Sequence, residues 1–156
     1  MSSHAASPSP ARRPARPIAL LLPALLAGAL ALGLAGPAAA QQNPDPANPR
    51  VLVTNGKLSV DQEPLRFFKK QGKVKITWRL PAQGGYSFPA DGIVIERADP
   101  ASPDPREEFR CARGQNPRHF VCENRNSVPA RYKYTVKAEQ NGQPLEPLDP
   151  IIVNEL

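Results

Sequence analysis

The clearest periodicity in the chain lies at residues 74–80, where Val74, Ile76, Trp78 and Leu80 alternate with Lys75, Thr77 and Arg79. A period of two places successive side chains on opposite faces, so the pattern predicts a strand with one buried and one wet side. The only tryptophan of the chain sits on the apolar side, and an indole brings more apolar area to a core than any other side chain. A second alternation covers residues 131–137, with Tyr132, Tyr134 and Val136 facing one way and Arg131, Lys133, Thr135 and Lys137 the other. The expected core is therefore Val74, Ile76, Trp78 and Leu80 against Tyr132, Tyr134 and Val136.

Shorter apolar runs at 51–60, 92–97, 108–112, 119–123 and 151–154 join 74–80 and 131–139 as strand candidates. Turn signals such as Asn55-Gly56, Asp91-Gly92 and Asn141-Gly142 punctuate them. Leu65, Phe67 and Phe68 have no clear period and are expected to wrap over an edge of the core. Seven short strands without sustained helical periodicity predict an all-β, antiparallel sandwich, with a small β-barrel as the alternative. In strand number the arrangement resembles an immunoglobulin-type module. Its two cysteines both follow the tryptophan and are close in sequence, unlike the long-range antibody bridge, so the resemblance covers architecture and assigns no functional residue.

The first forty residues change the domain picture. Arg12, Arg13 and Arg16 precede a largely apolar run from Ile18 to Ala35, and Ala38-Ala39-Ala40 closes it, which is the layout of a cleavable export signal. A membrane anchor is the rival reading of so long a run. Residues 41–50 carry three prolines among polar side chains and are expected to be a flexible tether, leaving 51–156 as one domain. The formal charge of +6 belongs partly to the leader, which holds three basic residues and no acidic one. A mature charge of about +3 gives little support to a nucleic-acid partner.

Export directs the reading of Cys111 and Cys122 toward a disulfide. Phe109 and Cys111 share parity, as do Phe120 and Cys122, so a hairpin is expected to turn both Phe and both Cys inward. His119 is the one histidine after the leader. It is the first candidate for acid–base work in a small secreted hydrolase, the alternative function. Two Cys and one His fall short of a closed zinc site, and no cofactor is expected.

Binding residues are sought among the cations. Lys75 and Arg79 line the wet side of the first strand, and Lys133 and Lys137 that of the second; in one sheet the four would merge into a basic face for an anionic polymer or lipid. Arg113, Arg118 and His119 flank a loop that the disulfide would preorganise, and free sheet edges offer room for a partner's strand. The function expected is that of an exported, periplasmic or secreted, non-catalytic binding module whose partner is another envelope or secreted protein.

Overall fold

The computed structural model describes residues 44–156. The expected export signal at 1–40, and residues 41–43 of the expected tether, lie outside them. The strands in chain order are β1 (Val51–Thr54), β2 (Lys57–Val60), β3 (Leu65–Phe68), β4 (Val74–Arg79), β5 (Tyr86–Ser87), β6 (Ile93–Arg97), β7 (Phe109–Arg113), β8 (His119–Asn124), β9 (Ala130–Val136), β10 (Glu139–Gln140), β11 (Gln143–Pro144) and β12 (Ile151–Glu155). One helical turn, α1 (Pro105–Glu108), precedes β7, with the Asp104 side chain accepting from the Arg106 amide at its start.

Two sheets form a sandwich, ordered β4-β8-β7 and β3-β12-β9-β6. Lettered A to G in chain order, six of their seven strands take the B-E-D and C-F-G places of an immunoglobulin-type sandwich, while the first, β3, lies beside β12, and the sheets do not close into a barrel. Every pairing is antiparallel except β3 with β12, which is parallel. The count of seven holds, but the membership differs from expectation. Residues 51–60 form a separate hairpin, β1-β2, turning on Asn55 and Gly56, both at positive φ as a tight two-residue turn requires. β3 takes the vacant place in the sandwich, burying Leu65 and Phe67 completely. Four residues are too few for a period to declare itself in the sequence.

Of the expected core, Ile76, Trp78, Leu80, Tyr132, Tyr134 and Val136 are buried, while Val74, at the strand's start, is only partly covered. Trp78 meets Tyr134 across the sandwich at 5.4 Å between ring centroids, and Phe109 meets Tyr132 edge-on at 4.9 Å. Such aromatic pairs favour tilted and edge geometries. A polar seam crosses the same space: buried Asn124 donates to Asn154 at 2.8 Å and accepts from the Asn126 amide at 2.9 Å. Asn126 in turn donates to the Phe68 carbonyl, tying the loop after β8 to the end of β3.

Residues 44–50, the described part of the expected tether, run beside β4. Ala47 and Pro49 offer their carbonyls to the Thr77 and Arg79 amides at 2.8 and 3.1 Å, and Pro49 is buried. Proline lacks an N–H, but its carbonyl remains an acceptor. The run is therefore suited to covering the free edge of β4, whose outward amides need acceptors.

Candidate functional site

The two alternating strands that suggested one basic face lie in opposite sheets. Lys75 and Arg79 are on β4 of the three-stranded sheet, and Lys133 and Lys137 are on or just beyond β9 of the four-stranded one. The expected combined face is thus not formed, because both apolar sets had to meet in one core and their wet sides then point apart. On the four-stranded sheet the lysines are also engaged. Lys133 contacts Glu96 at 2.9 Å, which raises its pKa, and Lys137 contacts Asp91 at 2.6 Å, which lowers that carboxylate's.

The three-stranded sheet gathers a different set. Register places Lys75 opposite Glu123, Thr77 opposite Val121 and Arg79 opposite His119 between β4 and β8. Between β8 and β7, Glu123 faces Arg110 and Val121 faces Ala112. The outer surface therefore has an apolar centre, Val121 and Ala112, with Lys75 and Arg110 at one end and Arg79 and His119 at the other. A shallow depression of about 420 Å³ runs over Lys75, Arg110, Ala112, Val121 and Glu123. Its one carboxylate, Glu123, is 3.0 Å from Lys73. Among the described residues, Lys75, Arg79, Arg110 and Arg118 are in no ion pair; Arg79 instead donates to Asn48 at 2.9 Å.

His119 is half-buried on this surface, and its pKa lies below the ordinary histidine value. Loss of water is the main cause, followed by the positive charges of Arg79 and Arg118. No side-chain hydrogen bond joins it to a carboxylate or hydroxyl among the described residues.

The β7–β8 hairpin carries the disulfide, with Cys111 and Cys122 directly opposed and 11 residues apart. The Gly114 amide donates to the His119 carbonyl, and the Arg125 amide to that of Glu108. Alternation then makes the cysteine pair a non-hydrogen-bonded one, the closer of the two kinds. Phe109, Phe120 and Cys122 are buried as expected, but Cys111 is exposed, because β7 is the outer strand of its sheet and no further strand covers the sulfur among the described residues. Arg113 leaves the site as well: its guanidinium donates to the Phe88 carbonyl at 3.3 Å, bracing the chain before β6.

Of the seven residues expected to bind, Lys75, Arg79 and His119 share the outer face of one sheet, Arg118 is near enough for its charge to act on His119, Arg113 acts as a brace, and Lys133 and Lys137 lie on the far sheet. Arg110 was not among them, although it alternates with Phe109 and Cys111 and so had to point outward. The chain matches no protein-family model and no curated protein. Among the described residues no group of side chains is arranged to hold a metal ion, and no helix is long and apolar enough to cross a membrane.

Proposed function

We propose that the chain is an exported, non-catalytic binding module, periplasmic or secreted, that docks an acidic surface of another envelope or secreted protein on the outer face of β4, β8 and β7. The observation that carries this reading is the placement of Lys75, Arg79 and Arg110, none in an ion pair among the described residues, around the apolar patch of Val121 and Ala112. Unpaired cations on a flat sheet favour an anionic partner, and the apolar centre gives that partner a dry contact that charge alone does not supply. The disulfide holds two of the three strands in register and keeps the face preorganised. An anionic polymer would use the same cations but would not need the apolar centre.

The test uses the whole protein as bait in native envelope extract, with bound proteins identified by mass spectrometry at low and high salt. Combined Lys75→Glu and Arg79→Glu is expected to reduce recovery of the partner at least tenfold. Lys133→Glu with Lys137→Glu, on the other sheet, is expected to leave it unchanged. The opposite ranking overturns the proposal, and a partner lost through Val121→Ser but not through charge reversal replaces the acidic partner with an apolar one.

A further inference from the structure

The open side of the sandwich between β6 and β7 presents a second surface, defined by backbone groups. The Lys137 amide donates to the Gly92 carbonyl at 2.8 Å, and the Ala98 amide to that of Arg131 at 3.2 Å. Bonded pairs alternate along an antiparallel ladder, so residues 92, 94, 96 and 98 bond to β9. The N–H and C=O groups of Ile93, Ile95 and Arg97 then point the other way. β6 ends its sheet, and no backbone partner meets these groups among the described residues.

Beside this edge runs a groove of about 240 Å³ whose apolar lining includes Ile93, Ile95, Pro105, Phe109 and Cys111. It adjoins a wider hollow of about 570 Å³ that reaches Arg97 and Asp104. The carboxylates nearby are already held, Asp104 by Arg106 at 2.7 Å and Glu96 by Lys133, and among the described residues Arg97 is in no ion pair. The groove therefore offers unpaired strand donors and acceptors, an apolar floor and a free positive charge at one end.

We infer that β6 is a strand-addition site for an extended segment of a partner protein, with apolar residues at alternate positions and a carboxylate at the end that meets Arg97. An added strand would pair with Ile93, Ile95 and Arg97, as in β-augmentation generally, and drop every second side chain onto Ile95 and Phe109. A second copy of this chain fits less well. Antiparallel self-pairing about Ile95 sets each Arg97 against the other copy's Ile93 and gives neither arginine a counter-charge. The inference is independent of the cationic face proposed above, and either can fail alone.

The probe is a capped heptapeptide with Val at positions 3 and 5, Glu at positions 1 and 7 on the same face and Thr between them, added to ¹⁵N-labelled protein while amide exchange is followed. The Ile93, Ile95 and Arg97 amides are expected to exchange freely without peptide and at least tenfold more slowly with it. A peptide N-methylated at alternate amides should give no protection. Arg97→Pro removes an outward N–H without touching the β9 ladder, as edge prolines generally do, and is expected to weaken binding about tenfold or more. Arg97→Glu, which keeps the amide, covers the case in which the proline variant does not fold and should weaken binding several-fold. Three results overturn the inference: slow exchange of these amides before peptide is added, protection confined to β4 and β8, or equal binding of the N-methylated peptide.

Discussion

The outer faces of the two sheets hold similar residues and differ in how many of their cations meet a carboxylate. On the four-stranded sheet Arg66, Lys133 and Lys137 each contact a carboxylate, Glu155, Glu96 and Asp91 in turn. On the three-stranded sheet, among the described residues, Lys75, Arg79 and Arg110 contact none, and the one ion pair is Lys73 with Glu123. Alternation in the sequence treats these side chains alike, as the wet positions of amphipathic strands. The difference comes from neighbours brought in by topology. Asp91 and Glu96 lie at the start and toward the end of β6, which pairs with β9, whereas β8 and β7 bring β4 a histidine, an arginine and a single glutamate. A cationic surface is thus defined by where acids fail to arrive as much as by where bases are.

The inner faces should not show this asymmetry, and removing their shared contact is the largest effect expected. Trp78→Ala empties the space against Tyr134, and substitutions of this kind cost about 3–5 kcal/mol, a large part of a small domain's stability. Denaturant unfolding should show both sheets lost in one transition; separate transitions would mean that the sheets are not one cooperative unit. Next in size is the disulfide, which belongs to the three-stranded sheet alone. Replacing both Cys111 and Cys122 by Ser frees a loop of about a dozen residues, worth roughly 3 kcal/mol from loop-closure entropy. If the clamp maintains the cationic face, binding of the acidic partner should weaken even where the protein remains folded.

Charge removal separates the sheets directly. Lys133→Ala and Lys137→Ala should each lower the melting temperature slightly, and the loss should vanish at high salt, as exposed ion pairs are weak and screened. Lys75→Ala should lower it not at all, since that lysine gives up no ion pair. Equal losses on both sheets in thermal melts at two salt concentrations would remove the contrast between the faces.

How much of this was legible in the sequence depends on the length over which a signal repeats. Residues 74–80 and 131–137 each hold several repeats of an alternation, and six of the seven core residues read from them are buried. Leu65–Phe68 is four residues long and joins the sheet beside β12, a parallel partner more than eighty residues away; no local pattern records such a contact. Asn124, Asn126 and Asn154 look like turn or strand-end residues, yet they are buried: Asn124 and Asn154 hydrogen-bond each other, and Asn126 donates to the Phe68 carbonyl. The candidate site was half legible for a related reason. Outwardness of Lys75, Arg79 and His119 follows from parity, but the sheet that each strand joins follows from the whole topology, and that decided which cations stand together.

The smallest effect expected belongs to His119, and it distinguishes the faces because the four-stranded sheet has no counterpart. Burial and the charges of Arg79 and Arg118 hold its pKa below the ordinary value, which is about 6.5. Between those two values the unfolded chain binds a proton that the folded chain does not, so stability should fall as the pH drops through about 6.5 toward the folded pKa, and level off below it. His119→Gln should flatten that part of the stability–pH curve, and a ring-proton titration followed by NMR should report the lowered pKa directly. Docking of an acidic partner should have the opposite sign. Protonation adds a third cation beside Arg79 and Arg118, so affinity should rise over the same range of falling pH, and bound partner should raise the His119 pKa. If affinity falls instead while stability behaves as described, the histidine lies on this face but outside the contact, and the docking surface narrows to the Lys75 and Arg110 end.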